Sequence, residues 1–312
     1  MAKSQAELSQ QLPVKNTFKF SKHGLFILGC LSPAIILVSI FVYFPLFQGI
    51  VMAFQNYTLF DITNRPFVGL QNFKNVIFTS EFYLILKNSF IWVFVSLFFQ
   101  LIIGFTIAIY LRRHFKGRGI YQALIFFPWA MSGFLIGIIW RWMFNGQNGV
   151  INDLLIRLGI IDQMIPFLSS PQWAMVSVLI ANIWYGVAFF TIMLLAALQS
   201  VPNELYEAAD MDGANGFHKL FKVTIPYIMP TIITTVLLRF IWILNFPDII
   251  YGMTNGGPAG STHILPTYML EKIIFSQNYG EASAIGVIMI FILTTFAIFY
   301  LMATRFDKAG DF

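Results

Sequence analysis

The sequence predicts an all-α polytopic membrane protein with six transmembrane helices, and three observations carry that prediction. Hydrophobic residues make up 58% of the 312 positions, charged residues only 11%, and the mean hydropathy is +0.74. Soluble proteins average about 25% charged residues, so the composition excludes an ordinary soluble domain, a nucleic-acid-binding module and a disordered chain. Six long stretches with little or no charge follow one another, and basic residues concentrate in alternate connections between them.

Each of the six stretches is long enough to cross a membrane, which takes about 20 apolar residues. Backbone amides find no hydrogen-bond partner in lipid, so each stretch is predicted to be a helix. The predicted spans are residues 25–47, 88–111, 119–140, 173–198, 223–247 and 282–304. Arg239 is the one charged residue within them.

The lysine and arginine residues predict how the spans are oriented. Twelve of the 19 lie in the two tails and in the second-to-third and fourth-to-fifth connections, whereas the other three connections hold four. The positive-inside rule therefore places both termini in the cytoplasm. This pattern accounts for most of the net charge of +5, so no nucleic-acid partner is expected. The single cysteine, Cys30, excludes a disulfide framework and a cysteine metal site.

The predicted domain organisation follows from these spans. Residues 1–22 are expected to form a mobile cytoplasmic tail, residues 23–306 a six-helix transmembrane domain, and residues 307–312 a second cytoplasmic tail. Within the transmembrane domain, the cytoplasmic connection 199–226 differs from the other connections because it contains a pattern of its own.

Two short amphipathic helices are predicted in this connection. Ser200 suits the start of the first helix, and Leu205, Ala208 and Ala209 form a small apolar face at spacings i, i+3 and i+4. Gly213 is expected to end that helix, and a second amphipathic run follows it. The apolar face packs either against the protein's own bundle and the lipid headgroups or into a groove of a cytoplasmic partner.

The same connection resembles the EAA loop of bacterial ABC importer permeases. The matching residues are Glu207-Ala208-Ala209, Asp212-Gly213-Ala214 and Val223-Thr224-Ile225-Pro226, where the family more often ends in Ile-x-Leu-Pro. Stretches at 67–73 (FVGLQNF), 127–129 (FPW) and 254–262 (TNGGPAGST) are similar to those of the carbohydrate-uptake, maltose-type branch, although Asn255 replaces a glycine. The resemblance covers about residues 22–306 and implies the fold of an ABC type I importer permease, the MetI-like fold.

The resemblance also implies a function. It implies the permease subunit of an ATP-driven, binding-protein-dependent importer of a sugar or oligosaccharide in the bacterial cell membrane, forming half of the translocation pathway. The implied partners are a second homologous permease subunit in a heterodimer, a dimeric cytoplasmic ATPase, an extracellular or periplasmic solute-binding protein, the sugar and membrane lipid. The implied ATPase-docking residues are Glu207, Ala208, Ala209, Asp212, Gly213, Ala214 and Pro226.

No catalytic, cofactor or metal site is expected in this chain. The sequence lacks the Gly-x-x-x-x-Gly-Lys-Ser/Thr loop that binds nucleotide phosphates, and its four histidines are scattered without a His-Glu-x-x-His pair. ATP and magnesium are therefore expected on the partner ATPase, and this chain is predicted not to be an enzyme.

Polar residues inside membrane spans are candidates for the substrate pathway. The predicted pathway residues lie on one face of the fourth span and one face of the fifth: Asn182, Tyr185, Gly186 and Phe189, and Arg239, Trp242, Ile243 and Phe246. Aromatic rings stack on the apolar face of a sugar, and Arg and Asn bond its hydroxyl groups. A purely structural role for Arg239, tying helices together, is an equal alternative, and Asn88 and Gln100 are expected to bond between helices.

Three alternatives remain at this stage. The cargo is either a neutral sugar or another polar solute, such as a glycerol phosphate or an anionic sugar. A stand-alone secondary transporter would need acidic relays within the spans, and Asp248 is the one span-associated carboxylate. An intramembrane enzyme would need a paired nucleophile and base or a set of metal ligands, and no such set is apparent.

Overall fold

A computed structural model describes residues 22–61 and 63–304 of the chain. The predicted tails at 1–22 and 307–312 lie outside these residues, except for Lys22. The described part is helical, with only isolated β-bridges. The α-helices are α1 (Lys22–Val38), α2 (Phe44–Met52), α3 (Gln71–Ile77), α4 (Ser80–Arg112), α5 (Arg118–Phe126), α6 (Gly133–Met143), α7 (Val150–Arg157), α8 (Pro171–Gln199), α9 (Asn203–Met211), α10 (Gly216–Lys219), α11 (Ile225–Leu244), α12 (Asp248–Met253), α13 (Leu265–Ile274) and α14 (Tyr279–Thr304).

The spans agree with the predicted all-α membrane fold. Five stretches are long and apolar enough to cross a membrane, namely Phe26–Met52, Ser80–Arg112, Pro171–Gln199, Gly216–Met253 and Tyr279–Thr304. A sixth is formed by a pair of helical stretches, Arg118–Ala130 and Gly133–Met143, which are bent by 102°. The prediction of six spans is confirmed when this bent pair is counted as one.

The prediction of one continuous helix for the third span is wrong. A short 3₁₀ turn, Phe127–Ala130, follows α5, and α6 begins in a new direction after Ser132. Proline has no amide hydrogen to donate to the carbonyl four residues earlier, and Pro128 stands where the α-helical hydrogen bonds give way to the 3₁₀ turn. The Ser132 side chain then accepts a hydrogen bond from the Leu135 amide at 3.3 Å, which caps the second half.

The described residues form two compact units, one up to Gly49 and the other from Ile50 onward. In the first unit, α1 continues through a π-helical turn at Ser39–Tyr43 into the start of α2. The large apolar side chains of this unit are exposed, as Phe41 illustrates with 72% of its surface accessible. A helix that is apolar on all sides is typical of a membrane span.

The second unit is built around α4, α8 and α11. The helices α4 and α8 approach closely because Gly104 has no side chain: a Cβ atom there would lie 2.6 Å from Phe190 Cβ. Glycines likewise allow the backbones of α6 and α12 to come into contact where the helices cross, since a Cβ on Gly137 would lie 2.8 Å from the Ile249 carbonyl oxygen. Small residues at helix crossings are typical of membrane bundles, where close backbone packing replaces hydrophobic segregation.

Helices that the sequence did not predict occupy the connections at one end of this unit: α3, α7, α12 and α13. Buried asparagines fix two of these segments. Asn152 donates to the Ile165 carbonyl and accepts from the Ile165 amide, both at 3.0 Å. Asn72 donates to the carbonyls of Ala53 and Gln55 at 2.9 and 2.8 Å.

His263 lies at this same end, just before α13, with Nε2 3.5 Å from Glu271 Oε2 and Nδ1 3.2 Å from Thr267 Oγ1. Burial lowers the pKa of the imidazole below its ordinary value, although the charges of Glu271 and Glu81 oppose that shift. The buried neutral form is therefore favoured in the folded protein.

Candidate functional site

The first candidate site is helix α9, in the predicted amphipathic connection. Its start differs from the prediction, because Ser200 does not cap it. Ser200 is the C-terminal cap of α8, and its hydroxyl donates to the Ala197 carbonyl at 2.8 Å. Pro202 then adopts an extended conformation with φ −60° and ψ 141°, and α9 begins at Asn203. The extended proline separates the two helices and sets the direction of α9.

The end of α9 agrees with the prediction. Gly213 has φ +73°, in the left-handed region that favours glycine. The Gly213 amide bonds the Asp210 carbonyl at 3.0 Å, and the Ala214 amide bonds the Ala209 carbonyl at 2.9 Å. These two bonds form a Schellman motif, which satisfies the last carbonyls of a helix. The helix therefore ends sharply at a fixed turn.

The predicted apolar face of α9 is divided between two directions. Ala209 is buried, whereas Leu205 and Ala208 are exposed. Consecutive residues point about 100° apart on a helix, so Ala208 faces outward when Ala209 faces the protein. Glu207, Ala208, Asp212 and Gly213 are exposed, and Ala214 and Pro226 are partly buried. Met211 beside them has 89% of its surface accessible.

Tyr206 anchors α9 to the bundle, a role that the sequence did not reveal. Its hydroxyl accepts from Arg112 Nη1 at 2.7 Å and lies 2.8 Å from Thr224 Oγ1. The Arg112 guanidinium also lies over the tyrosine ring, 4.5 Å from its centroid. Lys219 forms an ion pair with Asp210 of α9. One tyrosine therefore joins α9 to the end of α4 and to the π-helical turn Leu220–Thr224 that leads into α11.

The second candidate site is a buried polar chain between α4, α8 and α11. Arg239 Nε donates to Gln100 Oε1 at 2.8 Å, and Gln100 Nε2 donates to the Asn182 carbonyl at 2.8 Å. Asn182 Nδ2 continues the chain to Ser96 Oγ at 2.8 Å. Arg239 is only 3% exposed. The prediction that Gln100 bonds between helices is confirmed, and Arg239 does tie the fifth span to the second.

Gly186 leaves the space in which Arg239 and Gln100 meet. A Cβ atom at position 186 would overlap both the Gln100 amide and Arg239 Nη2. Two polar atoms of this cluster, Arg239 Nη2 and Asn182 Oδ1, are buried without a hydrogen-bond partner among the described residues. A buried donor or acceptor without a partner is costly, so Arg239 Nη2 can donate to a ligand or to water and Asn182 Oδ1 can accept from one.

Aromatic rings surround the guanidinium. Arg239 Cζ lies 5.7 Å from the ring centroids of both Tyr185 and Phe189. The Tyr185 ring stacks on Phe246 at 5.3 Å with an interplanar angle of 6°, and Phe189 contacts Trp242 at 5.1 Å. Cation–π contacts of this kind are worth about 0.5–2 kcal/mol. The rings and the charge form one polar–aromatic cluster.

The structure brings the eight predicted pathway residues into one neighbourhood, but not all of them have accessible side chains. Asn182 and Ile243 are completely or almost completely buried, whereas Trp242 is 44% exposed and Tyr185 and Phe246 are partly exposed. The Ile243 carbonyl accepts a hydrogen bond from the Trp92 indole at 3.0 Å. Ile243 thus packs in the interior in this conformation.

Asn88 holds a loop at the far end of the bundle. Its side-chain amide donates to the carbonyls of Ser261 and His263, both at 3.1 Å, within and just after the TNGGPAGST stretch. The prediction that Asn88 bonds between helices is wrong, because its partners are carbonyls of a loop. Within the described residues no group of three or more His, Cys, Asp or Glu side chains could hold a metal ion.

Comparisons with known proteins agree with this architecture. Residues 100–309 match the family model described as "Binding-protein-dependent transport system inner membrane component". The chain is 33% identical to the trehalose/maltose transport system permease protein MalF of Thermococcus litoralis, over 88% of this chain and 92% of that protein.

Solved structures are also similar. A bacterial ABC transporter involved in the import of the acidic polysaccharide alginate matches with a TM-score of 0.79 and 25% identity, over 91% of this chain and 96% of that one. A chain of the MetNI methionine ABC transporter matches with a TM-score of 0.53 and 16% identity, over 73% of this chain and 98% of that one, which shows the fold alone. The predicted type I importer permease fold is confirmed. The chain belongs to the family of inner-membrane permease components of binding-protein-dependent ABC transport systems.

Proposed function

We propose that this chain forms half of the translocation pathway of an ATP-driven importer for a sugar or oligosaccharide, with a second homologous permease subunit as the other half. The relatives named for trehalose and maltose and for alginate support a carbohydrate cargo. The family's dependence on a binding protein supports delivery by an extracellular or periplasmic solute-binding protein.

Helix α9 is the proposed contact with a dimeric ATPase in the cytoplasm. The observation that carries this proposal is an exposed, rigid helix end: Glu207 and Ala208 point outward, and Tyr206 fixes the helix to two spans. A coupling element must transmit force without bending, and a helix that is anchored by a side chain and ended by the Gly213 turn meets that requirement. ATP and magnesium are proposed to bind to the ATPase and not to this chain.

The proposal also fixes the orientation. Both termini and helix α9 lie in the cytoplasm of a multi-pass protein of the cell membrane, as the distribution of basic residues favours.

Charge reversal at Glu207 tests the coupling role. We expect Glu207→Lys and Gly213→Asp to abolish ATP-dependent uptake and co-purification with the partner ATPase, while membrane insertion stays normal. Asp162→Lys is the matched control, because Asp162 is an exposed carboxylate in the connection that precedes α8. Uptake that persists in both loop variants would refute the assignment.

The polar–aromatic cluster around Arg239 is proposed to line the substrate path. Its unpartnered Nη2 and the partly exposed rings of Tyr185 and Phe246 offer the donors and stacking surfaces that sugars use. The Tyr185 hydroxyl has no hydrogen-bond partner among the described side chains, so its removal should leave stability unchanged.

Tyr185→Phe therefore separates transport from folding. We expect it to lower the uptake rate or shift specificity at unchanged thermal stability, whereas Tyr300→Phe, on another spanning helix, should alter neither. Arg239→Ala should reduce uptake as well as stability, because Arg239 also bonds Gln100. If Tyr185→Phe and Arg239→Ala both transport normally, the path assignment fails.

An anionic sugar is the second candidate cargo, and Arg239 is the observation that favours it. A carboxylate, sulfonate or phosphate would pair with the free Nη2. Under this alternative Arg239→Gln would abolish uptake of an acidic oligosaccharide but only weaken uptake of a neutral one. Competition assays with the two sugar classes distinguish the candidates.

A further inference from the structure

A groove between α4, α5 and α8 has no role in the proposed function. Its volume is about 810 Å³, and aliphatic and aromatic side chains line it. The side chains that define it here are Val95, Phe99, Ile103, Ile107, Ile125 and Trp184. We call it the interhelical groove.

A second cavity adjoins the groove at the end of the bundle that carries α9. This cavity, of about 520 Å³, shares Ile107 and Ile125 with the groove, so the two lie next to each other. Its rim bears Arg113, His114 and Lys116. We call these three residues the basic mouth.

Among the residues that the structure describes, none supplies a counter-charge to the basic mouth, and no carboxylate of that set lines the cavity. Neither Arg113 nor Lys116 forms an ion pair with any residue that the structure describes, and both are exposed. Phe115 and Tyr121 stand beside them with ring centroids 5.7 Å apart in an edge arrangement. Aromatic and basic side chains together are typical of the level of the lipid headgroups.

The dimensions of the groove fit one leaflet. Val95 and Ile107 are twelve residues apart on α4, which corresponds to about 18 Å along a helix. Half of the hydrocarbon core of a bilayer measures about 15 Å. An acyl chain that runs along the groove therefore places its headgroup at the basic mouth.

We propose that the interhelical groove and the basic mouth bind an anionic glycerophospholipid of the leaflet on the α9 side, which is cytoplasmic in the orientation proposed above. The acyl chain lies along α4, and the phosphate is held by Arg113 and Lys116, since guanidinium and ammonium groups both bind phosphate oxygens. Arg113 and Lys116 follow Arg112, which anchors α9 through Tyr206. A lipid bound at this site would therefore contact the end of the bundle to which α9 is attached.

Charge argues for a lipid over another helix in this place. In the orientation proposed above, the first span of a second copy of this chain has Lys19 and Lys22 in its cytoplasmic flank, so cations would face cations. The cytoplasmic leaflet supplies anionic headgroups, and each nearby Lys or Arg contributes to their attraction.

Photolabelling tests the proposal on the full-length chain in vesicles. The probes are phosphatidylglycerol and phosphatidylcholine, each with a diazirine on one acyl chain. We expect phosphatidylglycerol to label peptides of α4 and α5 more strongly than phosphatidylcholine does. The double variant Arg113→Gln/Lys116→Gln should reduce that preference by about fivefold for each cation removed, a figure that corresponds to about 1 kcal/mol per basic residue near an anionic surface.

Two matched controls make the test specific. Ile103→Trp fills the groove and should abolish labelling there, whereas Ile102→Trp, on the neighbouring exposed position outside the groove, should not. Lys222→Gln, an exposed lysine outside the cavity, should keep the preference. If the double variant does not insert, Lys116→Gln alone carries the comparison.

The proposal is overturned by equal labelling with the two lipids, by equal effects of the two tryptophan variants, or by capture of a protein helix in the groove instead of lipid. The readout is lipid labelling and not transport, so its failure leaves the proposed transport function standing.

Discussion

Gly186 is a position at which a single methyl group should be costly, because Arg239 and Gln100 meet beside it. In Gly186→Ala the added Cβ overlaps the Gln100 amide and Arg239 Nη2, so one or both side chains must move. Moving them breaks the 2.8 Å bond from Arg239 Nε to Gln100 Oε1. A hydrogen bond to a charged group is worth about 1.5–3 kcal/mol, and overpacking a tight core costs about 1–3 kcal/mol.

The expected loss is therefore roughly 2.5–6 kcal/mol in the free energy of unfolding. Denaturation in mixed micelles, followed by tryptophan fluorescence, measures it on the full-length chain. Gly286→Ala is the matched control on another spanning helix, because its added Cβ would meet Met269 Sδ at an ordinary 3.6 Å. A loss at position 186 no larger than the control's would refute the reasoning.

A double-mutant cycle identifies the cause. Gln100→Ala removes both the overlapping amide and the bond to Arg239. We therefore expect Gly186→Ala to cost much less in that background than in the wild type, with a coupling of at least about 1.5 kcal/mol. Simple additivity of the two substitutions would show that the cost at Gly186 arises elsewhere.

Three further predictions concern single side chains. Tyr206→Phe removes the 2.8 Å contact with Thr224 and should speed hydrogen exchange of α9 about tenfold, with the spans unaffected; unchanged exchange would contradict the anchoring role. Asn152→Ala leaves the Ile165 amide unpaired, while the Ile165 carbonyl keeps its bond from the Phe167 amide at 2.9 Å, and should cost about 1–3 kcal/mol locally, so limited proteolysis should cut the surrounding segment first. The pKa of His263 is lowered by burial, so the unfolded chain takes up a proton first and stability should fall as the pH drops below about 6.5; His263→Asn should flatten that fall, measured as the thermal midpoint against pH.

Much of this protein could be predicted from local sequence alone. The six spans follow from the length of apolar stretches, since transfer of backbone and side chains into lipid depends on a sum over neighbouring residues. The end of α9 at Gly213 could also be predicted from the sequence, because the left-handed turn that closes a helix favours a residue without a Cβ atom. Helical periodicity placed Arg239 and Tyr185 on the predicted pathway faces of their two spans, and the structure brings them into one cluster.

Other features needed the tertiary structure. The third span reads as one apolar stretch, but the turn at Pro128 and the cap at Ser132 bend it by 102°. Hydropathy reports how strongly a segment prefers lipid to water, and it contains no information about the direction in which the helix runs. Ser200 has the chemistry of a helix start, yet it ends α8, because a serine hydroxyl serves either terminus and only the path of the chain decides between them.

The partners of buried polar groups were also beyond the sequence. Gln100 and Arg239 are 139 residues apart, and their hydrogen bond depends on the rotation and depth of two helices and on the empty space at Gly186. Tyr206 shows no pattern that marks it as an anchor, because its contacts with Arg112 and Thr224 come from segments that meet only when the bundle packs. The sequence by itself determined which segments enter the membrane and where the exposed helix stops, since both are local free energies. Packing alone decided which side chains meet inside the bundle.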